Sequence, residues 1–207
     1  MNIVFDFGGV LFRWQPHEFM PRLLPRVATD AASTHALVLA FFQLFEGDWG
    51  DFDRGRLEVD VLAQRIARRV GLTVAEARHV IDAVPDELAP LPESVDLLHR
   101  LHVAGHALHY LSNMPEPYAA ILESRHAFLR LFRSGVFSSR VGVIKPEAAI
   151  FELAAQRFGV DATQTLFIDD VEKNVAAARS VVGWRGLRFE AAGQCEEALI
   201  RLGVPGL

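Results

Sequence analysis

The sequence predicts an α/β fold: a parallel sheet with helices on both faces, interrupted after its first strand by a small all-helical domain. Three observations carry that expectation. The chain opens on a short apolar run, Asn2 to Phe5, that stops at a carboxylate, Asp6, followed by the pair Gly8-Gly9. From about Trp14 to Leu91 the pattern is helical, with no convincing strand. After Pro92 helical stretches alternate with short apolar runs, which is how a parallel sheet with helical crossovers reads.

Each element has its own signal. Asn2 to Phe5 reads as a buried strand whose carboxyl end opens into a loop. In the helical block, Leu57, Val61, Leu62, Ile66 and Val70 share one face, with Arg65, Arg68 and Arg69 on a solvated side. Thr73 and Glu76 form a capping box that opens the next helix. Pro85, Pro90 and Pro92 then punctuate the chain. A helix from Glu93 ends near Gly105, and the run from Ala107 to Leu111 is a strand that stops at Ser112-Asn113. A helix from about Glu116 to Leu131 precedes a short strand around Val136-Phe137. Pro146 suits the first position of a helix over Glu147 to Phe158, and Gly159 suits its stop. A strand from Thr165 to Ile168 ends at Asp169-Asp170. A helix from Glu172 to Val182 then stops at Gly183, and a last strand spans Gly186 to Phe189. Residues 1–13 and 92–207 thus form the sheet-bearing domain, and residues 14–91 the helical one.

Composition narrows the class. The 207 residues suffice for one sizeable core and a small accessory domain. With a net charge of -5 and no long basic run, nucleic acid is not an expected partner. The single cysteine, Cys195, excludes an internal disulfide and a CxxC pair, and it reads as structural. The first residues lack the basic start and long apolar stretch of a signal peptide. No uncharged apolar stretch reaches the roughly 20 residues of a membrane span, Ala36 to Phe45 being too short and holding Gln43. A soluble cytoplasmic protein is expected, with its oligomeric state left open.

In open parallel sheets, ligands sit beyond the carboxyl ends of the strands. Three expected strand ends deliver Asp6, Ser112-Asn113 and Asp169-Asp170, and a loop before a helix adds Lys145. Together these types suit phosphoryl transfer. One carboxylate attacks phosphorus, a hydroxyl and an ammonium hold phosphate oxygens, and further carboxylates hold a hard cation.

FDFGGVL, LSN, GVIKPEAAIF and FIDDVEKN, in that order, resemble the four motifs of the haloacid dehalogenase superfamily. The GG variant of the first motif and the KPE helix are similar to the branch of sugar-1-phosphatase-like proteins. The resemblance implies a Rossmann-like core and a helical cap over about Trp14 to Leu91. It also implies a magnesium-dependent phosphatase acting on a small phosphorylated metabolite, a sugar phosphate among the candidates. Asp6 would be the nucleophile and a metal ligand. Ser112, with Asn113 beside it, would bind phosphate, and Lys145 would steady nucleophile and phosphoryl group. Asp170, with Asp169 beside it, and the Gly8 carbonyl would complete the protein's share of the metal site. Asn174 stands where the family often has an acid. Trp14, Phe19 and Trp49 are candidate substrate contacts from the cap.

One departure matters. Two residues after its nucleophile the family usually has a second Asp, which protonates the leaving group and later activates water; here that position is Gly8. A backbone conformation open only to glycine would be one reason for it. Without that acid, activated leaving groups are expected to be preferred. The departure also keeps two alternatives open: a metal-independent dehalogenase, and a binding or regulatory module with little turnover.

Other clusters read as structural. His99, His102, His106 and His109 are divided by Gly105, so they are not expected to converge on a metal. Asp48, Asp51 and Asp53 lack the rest of a calcium-loop pattern and read as a solvated turn.

Overall fold

The computed structural model describes residues 1–206. β1 (Asn2–Phe5) is followed by five helices: α1 (Pro16–Leu23), α2 (Ala31–Phe42), α3 (Gly47–Asp53), α4 (Val59–Val70) and α5 (Val74–Glu87). Then come α6 (Pro92–Val103), β2 (Ala107–Ser112), α7 (Glu116–Arg125), β3 (Ser134–Phe137), α8 (Ala148–Phe158) and β4 (Thr165–Asp169). α9 (Glu172–Val182), β5 (Arg185–Arg188) and α10 (Ala192–Arg201) complete the order. The five strands form one sheet in the order β3-β2-β1-β4-β5, every neighbouring pair parallel. This is the Rossmann-like α/β architecture that the alternating pattern predicts.

Strand alternation explains the two-sided packing. Val4, Leu111, Val136 and Phe167 face Ile150, Phe151 and Ala154 of α8 and Ala178 of α9. Ile3, Phe5, Leu108, Leu166 and Ile168 face the other way, in a cluster with Leu97, Leu98 and Leu101 of α6 and Leu199 of α10. Neighbouring residues of a strand thus bury into opposite layers, as the period of two requires. β1 lies centrally, and from it the chain moves outward to β2 and β3 and then returns across it to β4. The carboxyl ends of β1 and β4, with Phe5 paired to Ile168, therefore border the switch point where such sheets bind ligands.

The helices inserted after β1 begin and end where their caps dictate. The Asp30 carboxylate accepts the Ser33 amide at 2.7 Å to open α2. Thr73 and Glu76 form the expected capping box on α5, and Gly71 and Gly159 are left-handed stops of α4 and α8. Three details depart from expectation. The buried face of α4 is Leu62, Ala63, Ile66 and Ala67, whereas Val61 is exposed. Arg65 and Arg69 are not merely solvated: both bind the Asp48 carboxylate, and Arg69 also donates to the Ala40 carbonyl, tying α4 to α3 and α2. The helix expected over Glu116 to Leu131 ends at Arg125 and resumes as a 3-10 turn over Ala127–Leu131, because His126 takes an extended conformation. Among the described residues no helix is long and apolar enough to cross a membrane.

Candidate active site

The first motif places its carboxylate by main-chain geometry. The Asp6 amide donates to the Ile168 carbonyl at 2.9 Å, extending the β1–β4 ladder one residue past the strand. Asp6 Oδ1 accepts the Phe7 amide at 2.7 Å and pairs with Lys145 Nζ at 2.8 Å. Oδ2 receives no donor among the described residues. The chain then turns sharply, with Val10, Leu11 and Phe12 all donating to the Phe7 carbonyl. Gly9 has φ +75°, and a Cβ there would lie 2.3 Å from Asp170 Oδ2, so a side chain is excluded twice. Gly8 differs. Its φ is not in the left-handed region, and an added Cβ would meet only Trp14 Cβ at 3.9 Å. Steric need does not account for Gly8.

Lys145 is buried, held between Asp6 and Asp169, with Nζ 2.6 Å from Asp169 Oδ2. Its main chain is clamped by Asn113, whose Oδ1 accepts the Lys145 amide at 2.8 Å and whose Nδ2 donates to the Lys145 carbonyl at 3.0 Å. Both ends of the Asn113 amide are thus spent on positioning Lys145. Ser112 ends β2, buried, and its hydroxyl makes no hydrogen bond among the described residues.

Asp169 is saturated with donors. Its oxygens accept the Val171 amide at 2.8 Å, Asn174 Nδ2 at 3.0 and 3.1 Å, and Lys145 Nζ. This gives Asn174 a role, since a carboxylate in its place would repel Asp169 and an amide donates to it. Asp170 is half-buried beside Gly9. Asp6, Asp169 and Asp170 each offer an oxygen, all within 4.8 Å of one another, the one such acidic or histidine cluster among the described residues.

Electrostatics follow from this crowding. Burial pushes the Asp6 carboxyl up to about 7, although Lys145 pulls the other way. Burial and the neighbouring Asp169 raise Asp170 to about 6. Burial works against the Lys145 charge, but Asp169 and Asp6 outweigh it and hold its pKa above the ordinary lysine value.

The site opens into a cavity of about 540 Å³ between the sheet and the inserted helices. Asp6, Gly8, Asn113, Lys145 and Asp170 form its polar floor, and Trp14, Phe45, Trp49, Val84, Leu88 and Met114 are among its apolar walls. Trp14 and Trp49 therefore reach it, whereas Phe19 is buried behind Trp14, ring centroids 5.8 Å apart. Asp53 corrects the expectation of a solvated turn. It is 3% exposed and lines the cavity, because α3 is docked against the sheet domain and its last turn is covered. No sequence pattern marks it, since its burial comes from tertiary docking. The histidines do not converge. His99 and His102 are exposed, His106 contacts the Pro205 carbonyl, and His109 contacts Ser134 and stacks on Phe158.

Comparison with known proteins places the chain in a family. Residues 1–181 match the family model of haloacid dehalogenase-like hydrolases. The chain is 29% identical to the sesquiterpene phosphatase astK of Aspergillus oryzae over 196 residues, covering 94% of this chain and 92% of that protein. It is 24% identical to the drimenol cyclase drtB of Aspergillus calidoustus, covering 97% of this chain and 36% of that protein. A haloacid dehalogenase family enzyme of Bacteroides thetaiotaomicron, solved with magnesium and inorganic phosphate, superimposes with TM-score 0.72 at 21% identity, covering 92% of this chain and 94% of that one. The L-2-haloacid dehalogenase of Xanthobacter autotrophicus with covalently bound chloropropionic acid does so with TM-score 0.68 at 18% identity, covering 100% and 84%. These solved structures share the fold, while the family itself is settled by the match over most of the chain: this protein is an enzyme of the haloacid dehalogenase-like hydrolases.

Proposed function

We propose that this hydrolase is a magnesium-dependent phosphatase that cleaves a phosphomonoester with an apolar alcohol portion, through an aspartyl-phosphate on Asp6. The observation that carries the reading is the gathering of three carboxylates, Asp6, Asp169 and Asp170, around one buried ammonium, Lys145. When ionised, three negative charges face one positive charge out of water, which favours a hard cation with oxygen ligands. The donor set fits such an ion. Asp6, Asp170 and the Gly8 carbonyl would hold it, and Asp169 stands beside them with its oxygens engaged by Lys145, Asn174 and Val171. Magnesium, when bound, offsets the charge between the anionic nucleophile and the anionic substrate.

The chain's own groups do the rest. Lys145 and the Phe7 amide hold Asp6 Oδ1, which leaves Oδ2 for attack on phosphorus. The Lys145 ammonium has a third proton for a phosphate oxygen, and Ser112 contributes its free hydroxyl. Asn113 keeps Lys145 in place. Residues 14–91 act as a cap that excludes water and receives the alcohol portion. Their cavity walls are mostly apolar, and the relative from Aspergillus oryzae is a sesquiterpene phosphatase, so a phosphorylated metabolite with a hydrocarbon body is favoured. A sugar phosphate would leave its hydroxyls against Trp14, Trp49 and Met114. A metal-independent dehalogenase would have no cation for Asp170 to hold. Phosphate release from long-chain alkyl and prenyl monophosphates should exceed that from hexose phosphates, require magnesium, and vanish in Asp6→Asn. Undiminished turnover in chelator would refute the reading.

A further inference from the structure

We propose that Asp53, on the last turn of α3, is the general acid and base of this site, in place of the carboxyl that Gly8 lacks. The inference rests on the phosphatase reading above. The other ionisable groups around the cavity are committed or remote. Lys145 is paired twice, Glu147 pairs with Arg54, and the Tyr118 hydroxyl donates to the Ile81 carbonyl at 2.7 Å. Glu46 and Lys173 are exposed. Asp53 alone combines burial, a cavity-facing position and a carboxyl with no side-chain hydrogen bond among the described residues.

Its main chain is anchored to the sheet domain. Ser138 Oγ donates to the Asp53 carbonyl at 2.6 Å and accepts the Met114 amide at 2.9 Å, joining α3 to the loop after β2. Next to it, Arg54 Nε reaches Glu147 Oε1 at 3.1 Å. Gly55, at φ +70°, lies so close to the sheet domain that a Cβ would sit 2.7 Å from the Ser139 carbonyl. A catalytic group on an inserted helix needs this kind of anchorage, because proton transfer is sensitive to position. Burial holds the Asp53 carboxyl well above the ordinary range, with Arg54 and Lys145 pulling down and Asp6 adding to the rise. Burial thus favours the protonated form that a general acid needs.

The cycle balances. Asp6 Oδ2 forms a bond to phosphorus while the bond from phosphorus to the ester oxygen breaks, and the electron pair on that oxygen takes the Asp53 proton. The alcohol leaves neutral and Asp53 is ionised. Water then bonds to phosphorus, the bond from phosphorus to Asp6 breaks, and the water proton returns to Asp53.

The leaving group provides the test. Decyl phosphate needs a proton on its oxygen, whereas 4-nitrophenolate departs without one. In Asp53→Asn, the first-turnover release of decanol should fall about 10²- to 10⁴-fold. First-turnover release of 4-nitrophenol should change by less than about 10-fold, followed by slow phosphate release, giving a burst of one equivalent per site. Asp53→Glu, which keeps a carboxyl, should recover part of the decanol rate. Gly8→Asp placed on Asp53→Asn should recover it too, since Gly8 has room for a side chain. Equal losses for the two leaving groups, or no loss for either, would overturn the assignment while the phosphatase reading stands on wild-type release of 4-nitrophenol absent in Asp6→Asn. A wild type inert toward both phosphates would overturn both.

Discussion

The two regions that meet at the cavity hold their side chains by different means. On the sheet side, the carboxylates of the proposed site sit at strand ends. Asp6 extends the β1–β4 ladder and Asp169 closes β4, so their separation is set by backbone pairing. On the helical side, the walls come from the 3-10 turn Gln43–Phe45 (Leu44, Phe45), from α3 (Trp49, Asp53), from α5 (Val84) and from Leu88 just after it. Their convergence depends on how separate helices dock, through aromatic contacts such as Phe42 on Trp49 at 4.5 Å and through the Asp48 pairs with Arg65 and Arg69. The proposed nucleophile and metal ligands thus sit where topology is rigid, and the proposed proton donor and substrate contacts where packing can vary.

The largest expected effect lies on the rigid side. Lys145→Met removes the one ammonium between Asp6 and Asp169 and should abolish turnover. Stripping a buried pair of its cation costs about 3 kcal/mol or more. The cost should shrink as pH falls, because carboxyls that take up protons no longer need the counter-charge. Denaturant unfolding at pH 5 and pH 8 would measure it, and an equal loss at both would show that packing, not charge, dominates.

Gly9→Ala should come next. Its backbone is left-handed, and the new methyl would collide with the Asp170 carboxylate. A loss of about 1–3 kcal/mol is expected, and magnesium should raise the melting temperature of the variant less than that of wild type. Asp170→Ala should remove the magnesium-induced rise altogether while folding normally.

The metal-free protein has its own pH signature. Asp6 and Asp170 are raised from 3.8 to about 7 and about 6. A carboxyl raised on folding binds its proton more tightly in the native state, so it stabilises at low pH and loses that contribution as pH rises from about 4 through its folded value. In chelator, melting temperature should therefore fall between pH 5 and pH 8. With magnesium present the fall should flatten, because the cation favours the ionised carboxylates.

At the rim of the helical side, away from Asp53, effects should be smaller and confined to substrate binding. Leu44 and Phe45, 64% and 38% exposed, form the apolar rim of the cavity. Leu44→Ser or Phe45→Ser should leave stability within about 0.5 kcal/mol. Each should raise KM for decyl phosphate several-fold, with KM for 4-nitrophenyl phosphate nearly unchanged. Equal shifts for both would mean that the alcohol portion lies elsewhere.

The same contrast explains what is legible in the sequence. Asp6, Lys145, Asp169 and Asp170 stand out because strand ends and glycine turns leave a linear trace, and the parallel sheet follows from the alternation of strands and helices, whereas the strand order is set by tertiary pairing. The role of Asn174 is hidden because an amide facing Asp169 Oδ1 and Oδ2 is a matter of side-chain direction across one helical turn. Asp53 reads as a solvated turn because its surroundings come from residues far away in the chain, among them Ser138, Met114 and Lys145. Helical period alone places Val61 on the buried face, and the docking of α4 rotates the true face toward Ala63 and Ala67.

The smallest expected effect tests the comparison at its finest point, within the Gly8-Gly9 pair. Gly8→Ala adds a methyl whose nearest neighbour would be Trp14 Cβ at 3.9 Å, an ordinary van der Waals contact, on a backbone that is not left-handed. The substitution also restricts the unfolded chain, which for a compatible glycine is worth about 0.4–1 kcal/mol of added stability. Stability should therefore stay level or rise slightly, in contrast to Gly9→Ala one residue on. Activity should also be nearly unchanged, because alanine alters neither the Gly8 carbonyl nor the proton donor. If Gly8→Ala is instead as damaging as Gly9→Ala, then the loop needs glycine at both positions, and the missing carboxyl at residue 8 is a steric consequence rather than a division of labour with the helical insertion. If it is harmless, the first motif has space for an acid that it does not carry, and the proton must be handled from the other side of the cavity.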